Sequence, residues 1–78
     1  MKKRKIPISF WEDRQWIFDH YQSLSQEYAD TWIAVVNRNV VSHGGSIGIV
    51  KKETMRKTGK KCFPVEFIER GIHIYHVD

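Results

Sequence analysis

The sequence predicts an α+β fold, with two helices on one face of a small, mostly antiparallel sheet. Its 78 residues, 41% of them hydrophobic and 28% charged, have the size and balance of one globular domain. Two segments have helical periodicity, and four short segments rich in Val, Ile and Phe have the pattern of strands. Their order is helix, strand, strand, helix, strand, strand. We assign residues 1–8 to a basic tail and residues 9–78 to the domain.

The first helix is predicted over about residues 10–28. Ser9-Phe-Trp-Glu12 has the form of a capping box, in which the serine and glutamate side chains satisfy free backbone N–H groups at a helix start. One stripe of this helix is expected to face the core: Phe10, Ile17, Tyr21, Leu24 and Tyr28, with Phe18 and Trp11 widening it on one side. The opposite flank is expected to carry Trp16, His20, Asp13 and Glu27, which exposes an indole to solvent.

A central strand and a hairpin are predicted next. Residues 31–37 are apolar on both alternating sides, as in a strand that is covered on both faces. Asn37-Arg38 then suits a two-residue turn into a strand over residues 39–43. Arg38 is unfavourable where a turn needs positive φ, so a connection longer by one residue is the alternative.

The second helix is predicted over residues 47–58, with Ser46 as the N-cap and Gly59 as the stop. Its apolar stripe consists of Ile47, Val50, Thr54, Met55 and Thr58. Residues 63–69 and 72–77 have strand composition and are divided by Arg70-Gly71, which predicts a second hairpin. Pro64 is expected at a strand start or at a sheet edge, because proline has no N–H for a ladder.

Part of the chain resembles a known family. The residues concerned are His20-Tyr-x-x-Leu24, Tyr28-x-x-x-Trp32-Ile-Ala-Val-Val and Val40-Val-x-His43-Gly44, followed by a helix that begins after serine. Over roughly residues 13–60 this pattern is similar to a family of short prokaryotic domains of unknown function. The resemblance implies a shared fold and no activity. Family members usually carry glycine in the turn between the two strands, where this chain has Asn37-Arg38-Asn39.

No catalytic, metal or cofactor site is expected. His73 and His76 are three apart on a predicted strand, which sends them to opposite faces, and no Cys-x-x-Cys pair accompanies them. Cys62 lies beside two lysines but has no adjacent base. The glycines after His43 lack the spacing of a nucleotide-binding loop.

Cationic residues are concentrated in two segments. The formal net charge is +4; residues 1–5 contribute four bases, and residues 51–61 contribute six bases against one acid. Lys52, Arg56 and Lys60 follow at i, i+4 and i+8, with Lys57 beside them, so we expect a line of cations on the solvent side of the second helix. Aligned like charges repel one another, which indicates an acidic partner outside the fold.

The leading hypothesis is a small, non-catalytic intracellular binding or adaptor module that docks on a larger acidic protein. The docking residues would be Lys52, Arg56, Lys57 and Lys60, together with Trp16 and His20. The alternative is a nucleic-acid- or ribosome-associated protein that uses the same residues, and a third reading is an enzyme built on His43 and Cys62. A lone cysteine and the lack of a long apolar run predict a cytoplasmic protein with no membrane partner, either a monomer or a homodimer.

Overall fold

A computed structural model describes residues 6–69, which form three helices and three strands in an α+β arrangement. The elements are α1 (Ile8–Asp19), α2 (Tyr21–Glu27), β1 (Thr31–Val36), β2 (Asn39–Gly44), α3 (Ile47–Thr58) and β3 (Val65–Ile68). The predicted fold class and element order are confirmed, except that the first helix is divided in two. The predicted strand over residues 72–77 lies outside the described residues. No helix within residues 6–69 combines the length and apolarity needed to cross a bilayer.

The sheet has the order β2-β1-β3, and β1 is antiparallel to both neighbours. β1 is therefore the central strand, as its two apolar sides predict, and Ile33 to Val36 are all buried. β2 contains a bulge, because Ala34 pairs with Ser42 while Val35 pairs with Val40, which leaves Val41 as an extra residue. Pro64 directly precedes β3, as predicted, and its carbonyl accepts the Val35 N–H at 3.2 Å.

One face of the sheet is covered by α1 and α2. Ile33 and Val35 alternate along β1 and pack in one cluster with Ile17 of α1 and Leu24 of α2. Ile68 of β3 completes this cluster, and all five side chains are at most 5% exposed. The principal hydrophobic core therefore lies between the sheet and the first two helices.

The opposite face is covered by α3. Trp32 and Ala34 alternate with the core residues of β1, so their side chains lie on this second face. Gly44 pairs with Trp32, and a Cβ at Gly44 would lie 3.5 Å from the Cγ2 atom of Val50 in α3. The prediction that both helices share one face is therefore wrong. A strand that is apolar on both sides needs a helix on each.

The N-terminal helical segment departs from the prediction at both its start and its middle. α1 begins at Ile8 after Pro7, with no side-chain cap, so Ser9 lies inside the helix and forms no capping box. The helix ends at His20, whose N–H donates to the Trp16 and Ile17 carbonyls before α2 begins. Because the helix breaks here, α2 lies against β3. The Tyr21 hydroxyl accepts the N–H of Glu69, the residue after β3, at 2.9 Å.

The faces of α1 also differ from the predicted ones. Ile17 is buried as expected, but Trp11 and Phe18 are 50% and 47% exposed. Asp13 was expected in solvent and is buried instead. On α3, Val50 and Thr54 are buried as predicted, whereas Ile47 and Met55 of the expected stripe are exposed.

Candidate functional site

The outward face of α3 carries the two predicted docking cations that point most directly into solvent. At 100° per residue, Lys52 lies about 180° and Arg56 about 140° around the helix from the buried Val50/Thr54 side. Both residues are exposed. The helix has the predicted bounds, and Gly59 ends it with φ 74° while its N–H donates to the Met55 carbonyl at 2.8 Å. A helix fixed at its end and along its buried side holds these cations in a defined position.

The predicted line of three cations is not formed. Lys60 lies beyond the helix end at Thr58, so it does not continue the i, i+4 spacing. Arg56 makes an ion pair with Glu53, with Nη2 at 3.6 Å from Oε2. The aligned set on the outward face is therefore reduced to Lys52 and Arg56, and Arg56 has a partner within the chain.

Lys57 has a different position from the predicted one. It lies on the side of α3 next to β2, where its Nζ donates to the carbonyl of the bulge residue Val41 at 3.1 Å and lies 3.8 Å from Glu53. Among the strands of residues 6–69, β2 lies at one edge of the sheet, and an ammonium group on a carbonyl of such a strand hinders another chain from pairing there. Lys57 therefore contacts β2 within the chain instead of pointing freely into solvent.

A shallow cleft of about 440 Å³ follows the same edge of the sheet. Tyr28 forms one side of it, Ile49 and Lys57 of α3 form the other, and His43 lies on the strand between. The His43 ring is 5.0 Å from the Tyr28 ring, centroid to centroid. Because Lys57 reaches across to β2, the cleft is partly filled by the chain itself.

Trp16 and His20 are adjacent, as predicted, but they have a structural role at the end of α1. Trp16 is partly buried and packs against the main core cluster. The His20 ring stacks on the indole at 4.6 Å, and its Nδ1 lies 2.9 Å from the Trp16 carbonyl oxygen. His20 is exposed and Trp16 is only partly so, which makes the predicted docking patch smaller than expected.

Sequence reasoning missed the structural importance of Asp13. Its carboxylate accepts the backbone N–H groups of Asn37 at 3.1 Å and of Arg38 at 2.9 Å, one on each oxygen. These two residues form the predicted two-residue turn, with φ 56° and 58°. A buried carboxylate thus stabilises a turn that has no glycine. One feature of the sequence could have indicated such a residue. Asn37-Arg38 stands where members of the similar family usually have a glycine-containing turn, so this turn needs a stabilising contact from elsewhere in the chain.

His43 and Cys62, the two residues of the enzyme hypothesis, lie in different parts of the fold. His43 lies on β2, and Cys62 is a free, exposed thiol in the loop after α3. Within residues 6–69 no hydrogen bond joins the two side chains, and this range contains no cluster of three His, Cys, Asp or Glu residues that could hold a metal ion.

The segment that contains the sheet and α3 matches a known protein family. The family of unknown function DUF5678 matches residues 23–71, a range that spans the sheet, α3 and most of α2. Comparison with curated proteins and with solved structures finds no match. The family match covers more than half of the 78 residues and agrees with the resemblance given by the sequence motifs. The chain therefore belongs to DUF5678, a family of unknown function.

Proposed function

We propose that the protein is a non-catalytic binding module that docks on an acidic protein surface through the outward face of α3. The observation that carries this proposal is the position of Lys52 and Arg56, one helical turn apart on the side of α3 farthest from the sheet. α3 is held against the sheet by buried Val50 and Thr54, so a partner would meet cations on a preorganised helix.

The local charge balance supports an acidic partner. Residues 51–61 contain six bases and one acid, Glu53. That single carboxylate lies between Arg56 at 3.6 Å and Lys57 at 3.8 Å, so it neutralises one charge at most. An exposed ion pair is worth only about 0–1 kcal/mol, so Arg56 can exchange Glu53 for an external carboxylate at small cost.

The composition of the face favours protein over nucleic acid. Ile49 and Met55 flank the cations and are 62% and 41% exposed, which provides apolar contact area beside the charges. Interfaces between proteins combine such apolar contacts with a charged rim. α3 contains no aromatic residue on which a base could stack.

The test compares two acidic probes. Binding of the full chain to a glutamate–tyrosine copolymer and to polyuridylate is measured by fluorescence anisotropy at 0.05 M and 0.2 M salt. We expect tighter binding to the copolymer, and a loss of about tenfold in Lys52→Gln/Arg56→Gln, since two exposed ion pairs contribute about 1–2 kcal/mol together.

A matched control separates position from net charge. Gln22→Glu/Gln26→Glu lowers the formal charge from +4 by the same two units, but on α2. This control should bind nearly as well as the wild type. If both double variants lose affinity equally, the α3 face is not the docking surface. Tighter, salt-sensitive binding to polyuridylate would assign the face to nucleic acid instead.

A further inference from the structure

The cleft of about 440 Å³ beside β2 lies against the edge of that strand rather than against a face of the sheet. Ser42 and His43 both line it, and these neighbours on β2 point to opposite faces of the sheet. A space that both side chains border runs along the outer edge of the strand. Its walls also come from both faces: Tyr28 at the end of α2 forms one, and Ile49 with Lys57 of α3 forms the other.

This edge offers the hydrogen-bonding pattern of a strand. Within residues 6–69, β2 pairs only with β1, so the backbone groups on its other side have no partner strand. The Val41 carbonyl is one group that is open to the cleft, because the Lys57 ammonium donates to it there at 3.1 Å. A partner whose N–H and C=O groups repeat at the same spacing is an extended peptide, which adds to such an edge as a further strand.

The walls of the cleft suit alternating side chains without net charge. In a strand added to β2, successive side chains point to Tyr28 and His43 on one face and to Ile49 on the other. The two rings are 5.0 Å apart, and Ile49 is 62% exposed. Among the described lining residues, the cation Lys57 lies 3.8 Å from the carboxylate of Glu53, so their charges offset each other. This balance favours a neutral, apolar segment over a small anion.

A second copy of the chain fits this edge less well. Antiparallel pairing of β2 with β2 of another copy places both α3 helices on the same face, with a Lys57 from each beside the shared seam. Like charges across paired strands are destabilising. A peptide from another protein brings no second ammonium group. Lys57 is also easily displaced by such a peptide, because its side chain is half exposed and an exposed pair with Glu53 contributes little.

We propose that β2 takes an extended peptide of a partner protein as an additional strand. Apolar side chains at alternating positions of the peptide pack against Tyr28 and His43 on one face and against Ile49 on the other. A backbone N–H of the peptide replaces the Lys57 ammonium at the Val41 carbonyl. This site uses the side of α3 that faces β2, so it is independent of docking by the outward face of that helix.

The experiment is a titration of the nitrogen-15-labelled full chain with blocked hexapeptides, followed by NMR. The probe is a pool in which Thr alternates with Val, Ile, Phe or Tyr. We expect amide shifts concentrated in residues 39–44 and at Lys57. Two N-methylated forms of the tightest member then test the backbone contacts. Methylation of the alternate nitrogens that face β2 should lower affinity about tenfold or more, and methylation of the nitrogens between them should have little effect.

Variants of the protein locate the site. Ile49→Ser removes one wall and should weaken binding about fivefold, since the loss of one apolar contact is expected. Met55→Ser is the matched control, because Met55 is a second exposed apolar residue of α3 and is not among the lining residues of the cleft. It should bind like the wild type. Lys57→Met uncovers the Val41 carbonyl and should tighten binding. Circular dichroism checks that each variant is folded.

Four outcomes would overturn the proposal. The first is the absence of shifts in residues 39–44 at millimolar peptide. The second is an equal effect of the two N-methylation patterns, which would exclude a strand-like backbone contact. The third is dimerisation of the wild type through β2 in analytical ultracentrifugation, which would identify a second copy as the occupant. The fourth is weaker binding in Lys52→Gln/Arg56→Gln but not in Ile49→Ser, which would place the peptide on the outward face of α3.

Discussion

Replacing Asp13 with asparagine tests whether one buried carboxylate holds the β1–β2 turn. The substitution keeps the size of the side chain but exchanges one acceptor oxygen for an NH₂ group. In the native protein both oxygens are used, at 3.1 Å from the Asn37 nitrogen and 2.9 Å from the Arg38 nitrogen. In the variant, one backbone N–H loses its acceptor and faces another donor, while the other N–H donates to a neutral oxygen.

The expected loss of stability follows from these two bonds. A hydrogen bond to a charged group contributes about 1.5–3 kcal/mol, and a neutral one about 1 kcal/mol. Losing one charge-assisted bond and weakening the other should lower the free energy of unfolding by about 2–3 kcal/mol. For a domain of this size each kcal/mol shifts the melting temperature by about 4–8 °C, so the Asp13→Asn variant should melt roughly 8–24 °C lower.

The assay is urea and thermal unfolding followed by circular dichroism, with Asp19→Asn as the matched control. Asp19 lies on the same helix, but it is exposed, and the one side-chain bond that it accepts within residues 6–69 comes from Gln15, at 3.0 Å. Its replacement should change stability by less than about 0.5 kcal/mol. Equal effects of the two substitutions would refute the role of Asp13 in the turn.

A second substitution tests the same turn from its other side. Arg38 adopts φ 58°, where a side chain is unfavourable and glycine is not. Arg38→Gly should therefore recover about 1 kcal/mol in the Asp13→Asn background, because it removes the backbone strain that the carboxylate offsets. No recovery would indicate that the loss arises elsewhere.

Three further predictions concern local contacts. Gly59→Ala should destabilise the protein by about 1 kcal/mol in urea unfolding, because Gly59 ends α3 with φ 74°. Tyr21→Phe removes the acceptor of the Glu69 N–H and should cost less than about 1 kcal/mol, while hydrogen exchange at Glu69 becomes faster. Lys57→Met keeps the side-chain stem but leaves the Val41 carbonyl uncovered, so we expect little change in stability and more self-association by light scattering. Unchanged hydrogen exchange at Glu69 would contradict the prediction for Tyr21→Phe, and unchanged light scattering would contradict the prediction for Lys57→Met.

The structural features that depend on residues close together in the chain could be predicted from the sequence. The run Trp32-Ile-Ala-Val-Val is apolar on both alternating sides, and it forms the buried central strand. α3 has the predicted bounds: Gly59 ends it with φ 74°, and Ser46 stands at the N-cap position, although its side chain makes no cap hydrogen bond. The two-residue turn at Asn37-Arg38 was predicted from the spacing between the strands and is confirmed by its φ angles.

The candidate site was only partly predictable. Lys52 and Arg56 lie outward as their spacing indicates, since helical periodicity fixes their angle relative to Val50. The positions of Lys57 and Trp16 were not predictable in the same way. Lys57 bonds Val41 sixteen residues away, and Trp16 meets core residues from other elements.

The sequence by itself determined which segments form helices and strands, their order, and the two-residue turn between β1 and β2, because these depend on backbone propensity and on residues a few positions apart. Tertiary structure decided which side of α1 meets the sheet. Periodicity identified Ile17 as a buried residue, but it did not show that Trp11 and Phe18 stay about half exposed or that Asp13 is buried. Tertiary structure also placed Asp13 beside Asn37, 24 residues along the chain, where a turn that lacks glycine acquires the carboxylate that stabilises it.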